Sequence, residues 1–157
     1  MMVEVYIAGL SLDPQTNQFV VLLREKPEGK RFLPIWIGPF EANAIAIALE
    51  KIDIGRPLTH DLLKNIIESL NAKVDKVYIH SLKENTFYAT IFLNVSDKTL
   101  EIDSRPSDAM ALALRTQSPI YVDSQVLEEA GFVEEYNAEE ELTKLLRDLN
   151  PEEFKKQ

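Results

Sequence analysis

Apolar and polar residues alternate along residues 3–10, where Val5 and Ile7 share one parity with Tyr6 between them, and this spacing predicts a strand. Residues 19–24 and 32–37 predict two more strands. Turns separate them at 13–17 and 26–30, where Pro14, Asn17, Pro27 and Gly29 preset the backbone. Gly38 and Pro39 end the third strand, and Pro39 suits the first turn of a helix, where its missing N–H costs nothing. The period then becomes helical. Residues 41–52 carry Ala and Ile on most sides, which predicts a largely buried helix. After a loop at 53–58, Thr59 is placed to cap a helix. Its Leu62, Leu63, Ile66, Ile67 and Leu70 fall at amphipathic spacing.

The pattern then restarts. Residues 76–82 echo 4–10, Asn85-Thr86-Phe87 echoes Asn17-Gln18-Phe19, and Leu100 and Ile102 align with Ile35 and Ile37. Residues 109–114 align without gaps on 44–49, and the same offset puts Ser124 on Thr59 and Leu127 on Leu62. The fold expected is α+β: an internally duplicated β-β-β-α-α unit forming one compact domain, plus a C-terminal helix. The halves run from about 1 to 71 and from 73 to 132. A half of this size is marginal alone, so the two are expected to share one core. Gly131 is placed to stop the last helix of the repeat. Asn137 is placed to cap a helix over 139–149, with Leu142, Leu145, Leu146 and Leu149 on one face, and a tail follows.

The two buried helices differ at their starts. On the gapless offset Asp103 stands where Gly38 stands, Arg105 where Phe40 stands and Asp108 where Asn43 stands. Two accounts of the charged turn compete. In the structural one Ser104 caps the helix, Pro106 sits in its first turn, Asp108 favours the helix dipole and Arg105 pairs with a carboxylate. In the functional one free N–H groups, a serine hydroxyl and an arginine fork make an anion site. Asp103 and Asp108 would add ligands for a divalent ion, since Mg²⁺ needs only one or two carboxylates. A second polar cluster, Arg56, His60 and Asp61, lies at the start of the preceding helix. A histidine beside a carboxylate is a candidate general base. His80 lies within a strand pattern and is expected to be structural.

Composition narrows the choice. The chain has 157 residues, a net charge of −9 and no cysteine. Disulfides, thiolate zinc sites and a thiol nucleophile are therefore excluded, which fits a cytoplasmic protein. No apolar run approaches a membrane span, and the start lacks a basic region followed by an apolar one. A phosphate-handling site would have to be a local positive spot on a negative body. P-loop, GxGxxG, GxSxG and His-Glu-x-x-His elements are absent, as is a basic stretch interleaved with aromatics.

Three motifs together resemble the bifunctional nuclease domain family. They are Leu33-Pro34-Ile35-Trp36-Ile37-Gly38 with Glu41-Ala42, then Arg56-Pro57-x-Thr59-His60-Asp61-Leu62, then Asp103-Ser104-Arg105-Pro106-Ser107-Asp108-Ala109. They occur in order and cover most of residues 1–135, which makes 1–135 the expected domain and 136–157 an appended helix and tail. The resemblance implies a nuclease acting on DNA and RNA, and a homodimer. By motif position it marks Asp103, Arg105, Ser107 and Asp108 as site residues, with Glu41, Arg56, His60 and Asp61 as secondary candidates. The function expected is metal-assisted phosphodiester hydrolysis. Asp103 and Asp108, with or without Glu41, would hold Mg²⁺ or Mn²⁺, Arg105 and the helix N-terminus would bind the phosphate, and His60 would move a proton. The alternative is a non-catalytic dimeric regulatory protein that binds a small anionic ligand at the same helix start.

Overall fold

The computed structural model describes residues 1–133 except Glu28, and Leu145 beyond them. The elements run β1 (Met2–Asp13), β2 (Gln18–Glu25), β3 (Arg31–Ile37), α1 (Pro39–Leu49), α2 (Thr59–Ser69), β4 (Ala72–Lys83), β5 (Thr86–Val95), β6 (Lys98–Ser104), α3 (Pro106–Thr116), β7 (Ile120–Asp123), α4 (Ser124–Ala130) and β8 (Phe132–Val133). The result is a mixed α/β chain with one eight-stranded sheet, ordered β6-β5-β4-β7-β1-β2-β3-β8. The expected helix at 139–149 lies, apart from Leu145, outside the described residues. No helix among the described residues is long and apolar enough to cross a membrane.

Both halves open with the expected three-stranded antiparallel meander followed by a helix. The first strands of both meanders bulge, between Ile7 and Gly9 and between Ile79 and Ser81. The second half then departs from the expected unit. β7, which the periodicity does not predict, lies between α3 and α4. Ile120 pairs with Val5 of β1 in antiparallel register and with Val77 of β4 in parallel register. This short strand joins the two meanders into one sheet. The corresponding part of the first half, between α1 and α2, forms no strand.

The core is one cluster drawn from both halves, as a shared core requires. α3 lies at its centre. Ala109, Met110, Ala111, Leu112 and Ala113 are all buried, and α1 and α2 flank it. Its alanines leave little side chain between α3 and the helices beside it.

The outer helices correct the expectation of burial. α1 buries only Ala42 and Ile45, and α2 only Ile67. Leu62, Ile66 and Leu70 are 51%, 48% and 69% exposed. Their stripe has the right period but is only partly covered, with Leu62 and Ile66 lining a groove beside β5 and β6. Leu58, not Thr59, occupies the N-cap position of α2. The Asp61 carboxylate closes the turn by accepting the Leu58 N–H at 2.9 Å. Gly131 does end α4, but with φ −84°. What demands glycine there is space, since a Cβ would run into the carbonyl oxygens of Leu127 and Phe32.

Candidate functional site at the start of α3

Arg105 leaves β6 in an extended conformation and takes the N-cap position of α3, with Pro106 as the first helical residue. Its own side chain makes no cap bond. The Ser104 hydroxyl donates to the Arg105 carbonyl at 2.8 Å, so Ser104 is not the cap that the sequence suggested. The extended turn aims the guanidinium back across the helix start. Arg105 Nε donates to Asp108 Oδ2 at 3.0 Å and Nη2 to Asp108 Oδ1 at 3.3 Å, while Nη1 donates to Glu41 Oε1 at 3.1 Å. His60 Nε2 lies 2.9 Å from Asp108 Oδ1. The four residues come from the starts of α1, α2 and α3, and His60, from the Arg56–Asp61 cluster, reaches the charged turn.

The helix starts also revise the comparison between halves. Both open on proline, so Pro39 registers with Pro106 and Glu41 with Asp108, two residues out of step with the alignment of 44–49 on 109–114. The carboxylate is therefore common to both starts. Arg105 occupies the N-cap position that Gly38 has in α1.

Electrostatically the cluster is not the positive spot that the overall charge called for. Arg105 is flanked by two carboxylates. Burial pushes the Asp108 carboxyl up, but hydrogen bonds and charge from Arg105 and His60 outweigh it and hold the group below its ordinary value. The same bonds from Asp108, and a weaker one from Glu41, raise the guanidinium further. Asp61 is also held low, first by the Leu58 N–H and then, against desolvation, by Arg115. A depressed carboxyl contributes stability that is complete above its unfolded value, here 3.8, and lost as pH falls through the lower folded value. The urea midpoint is accordingly expected to hold from pH 7 to about pH 5 and to fall by pH 3. A flat profile would show that these carboxylates are not paired in solution.

The remaining candidates are placed differently. Asp61 turns away from the cluster. It accepts Arg115 Nε at 2.8 Å, and Arg115 also donates to the carbonyls of Ala111 (2.9 Å) and Ala44 (3.0 Å). Arg115, only 6% exposed, ties α1, α2 and α3 together. Sequence reading had singled it out for no role, and its only signal was a charge at the end of an apolar helix. Arg56 is exposed and lines a separate cavity with Lys51, Asp61 and Arg115. Asp103 is exposed on β6. Ser107 is buried, with 6% exposure. His80 sits in the β4 bulge with its Nδ1 2.6 Å from the Ser81 hydroxyl, which fits a structural role.

Two cavities meet at Arg105. A groove of about 800 Å³ lies between α2 and strands β5 and β6, with His60, Asp103 and Asp108 along an otherwise largely apolar wall. A smaller cavity of about 270 Å³ lies between the end of β3, the β4–β5 turn and the start of α3, and is lined by Trp36, Glu41, Asn85 and Ser107 among others.

The donor set does not fit a divalent ion as it stands. Both Asp108 oxygens already accept hydrogen bonds, and a guanidinium lies against them. Among the described residues no group of three His, Cys, Asp or Glu side chains is gathered for a metal.

A histidine, two carboxylates and an arginine thus converge on one helix start. The family model described as the bifunctional nuclease domain matches residues 21–135, and the chain belongs to that family. An uncharacterised protein of Mycobacterium tuberculosis is 42% identical over 152 residues, which cover 97% of this chain and 90% of that protein. Bifunctional nuclease 2 of Oryza sativa subsp. japonica is 29% identical over 117 residues, 73% of this chain and 36% of the rice protein. Bifunctional nuclease 2 of Arabidopsis thaliana is 28% identical over 107 residues, 66% of this chain and 32% of the plant protein.

Proposed function

We propose that the chain is a phosphodiesterase that cleaves DNA and RNA at the His60–Asp108–Arg105–Glu41 cluster. The observation that carries this is the 2.9 Å contact between His60 and Asp108, which joins two separate sequence motifs at the residue gripped by Arg105. With the Nε2 proton on Asp108, His60 keeps the Nδ1 lone pair to accept a proton from an attacking water. Asp108 orients the ring and stabilises its charged form. Arg105 uses three of its five N–H groups within the cluster and offers the others to a phosphate oxygen as negative charge develops there. Glu41 and Asp108 hold the fork in place before substrate arrives. Family membership supports a nucleic-acid substrate.

The chemistry at this cluster uses side chains alone, whereas the sequence led us to expect Mg²⁺ or Mn²⁺ on Asp103 and Asp108. Purified protein is to be assayed on labelled single- and double-stranded DNA and RNA, with each ion and with EDTA. Cleavage in EDTA is the outcome the cluster geometry favours, whereas cleavage only with added metal would restore Asp103 and Asp108 as ligands. Absence of cleavage on every substrate would favour the alternative of a regulatory protein binding a small anion. The two carboxylates around Arg105 and the net charge of −9 already weigh on that side against a polyanion.

We also propose a homodimer. The outer face of α2, the segments just after α1 and α2, and the edge strand β6 leave Ile52, Leu62, Ile66, Leu70, Leu100 and Ile102 exposed, apolar surface of the kind that interfaces between chains cover. Light scattering is expected to give twice the chain mass. Leu62→Glu with Ile66→Glu is expected to give the single mass without unfolding, because both positions are half exposed. A double variant that stays dimeric would move the interface elsewhere.

A further inference from the structure

His60 reaches the cluster from a part of the chain that apolar packing hardly holds. Residues 50–57 are exposed throughout, and the one buried residue of α2 is Ile67, about two turns beyond His60. His60 stands at the second position of α2, with Leu58 as the N-cap and Asp61 next in line. The first turn of the helix is therefore anchored chiefly by polar contacts, and two of these lead to α3. His60 Nε2 lies 2.9 Å from Asp108 Oδ1, and Asp61 Oδ1 accepts Arg115 Nε at 2.8 Å.

The two anchors share one helix. Asp108 and Arg115 are about two turns apart on α3, so they lie on one face of it. Arg115 runs back toward the start of α3, as helical side chains tend to, and its Nη1 bond to the Ala111 carbonyl sets that direction. Its Nη2 donates to the Ala44 carbonyl of α1. These bonds and an exposure of only 6% fix the guanidinium. Asp61 is fixed in turn, because its Oδ2 accepts the Leu58 N–H at 2.9 Å. Hydrogen bonds thus run without a break from α1 and α3, through Arg115 and Asp61, to the turn that carries His60.

We propose that Asp61 and Arg115 are positioning residues, which hold the first turn of α2 on α3 so that the His60 ring stays on Asp108. The proposal rests on the reading of His60 as the proton acceptor of the cluster. Neither residue meets the reacting atoms. Asp61 turns away from the cluster, and Arg115 is buried where α1, α2 and α3 meet. Their effect on cleavage passes through the direction of one imidazole. A base must stay within hydrogen-bond reach of the proton it takes, and a displacement of about 1 Å can cost about 100-fold in rate.

His60 and His80 are the two histidines of the chain, so ring-nitrogen NMR spectra of histidine-labelled protein give one set of signals for each. Asp61→Asn, Asp61→Glu and the double variant Asp61→Asn/Arg115→Met are to be compared with the wild type, at a pH above the titration of both rings. The double variant strands neither a carboxylate nor a guanidinium, so it is expected to melt closer to the wild type than Asp61→Asn does. In the wild type His60 is expected to show one tautomer, protonated at Nε2. In Asp61→Asn and in the double variant it is expected to shift to the mixture of a free imidazole, while His80 stays unchanged. In both, kcat on single-stranded DNA is expected to fall about 100-fold, with KM within about threefold of the wild type. Asp61→Glu, which keeps a carboxylate of the kind that closes such a turn, is expected to recover most of both readings. His60 signals unmoved in the double variant, or a rate that follows melting temperature alone, would overturn the proposal. A wild-type protein that cleaves nothing would remove the nuclease reading. The shift of the His60 signals would then still support the positioning role, and their constancy would still overturn it.

Discussion

Arg105→Ala is expected to slow cleavage by about 100- to 1000-fold, the loss typical of removing one preorganised donor to a developing negative charge. The fold should survive. The Arg105 side chain is 63% exposed, and an ion pair at such a position contributes about 0–1 kcal/mol. Asp108 keeps His60 as a partner in the variant, so its carboxylate is not stranded. Arg105→Lys should recover only part of the rate, because an ammonium cannot grip Asp108 and Glu41 and still present a planar fork to phosphate. The readings to be taken are the cleavage rate and the urea midpoint of each variant. A large fall in midpoint would make Arg105 a lock for the turn, and an unchanged rate would take it out of the chemistry.

Arg115→Ala is expected to have the largest effect on stability. The side chain is 6% exposed and holds Asp61, the Ala111 carbonyl and the Ala44 carbonyl at once. Breaking a buried ion pair costs about 3–5 kcal/mol. Asp61 is 39% exposed, so water recovers part of the loss and about 3 kcal/mol is the appropriate figure. For a chain of this length that lowers the melting temperature by roughly 6–12 °C. Arg115→Met, which fills the space but removes all three of these hydrogen bonds while Asp61 keeps only the Leu58 N–H, should fall in the same range. A shift of a degree or less in both would show that the three helices do not depend on this side chain.

Much of the fold was legible because local signals and packing agree. The six strands of the two meanders follow from alternation and turn residues, and α3 from its unbroken apolar run closed by Pro106 at the start. β7 was not legible. Residues 120–123 are too few to show a period, and their pairing depends on two strands more than 40 and 110 positions away. Burial of α1, and the cover on the apolar stripe of α2, were not legible for a related reason. Period says which face is apolar, but not whether this chain covers it. At the site, residue identities were readable and their partners were not. Nothing in the spacing of His60 and Asp108 indicates a contact across 48 positions, and the parallel between Glu41 and Asp108 was hidden by the two-residue slip between helix starts. Trp36 was visible only as part of a motif. Its exposure depends on which face of β3 the helices cover.

The most direct test of the central claim is the rate of single-stranded DNA cleavage by the wild-type protein and by an Asp103→Asn/Asp108→Asn double variant. The two are to be purified side by side and matched for circular dichroism and urea midpoint at pH 7. The cluster geometry predicts robust cleavage by the first and at least a 100-fold loss in the second, since the neutral amide can neither stabilise a charged His60 nor hold the Arg105 fork. Equal rates from two well-folded proteins would contradict it and place the activity outside the start of α3.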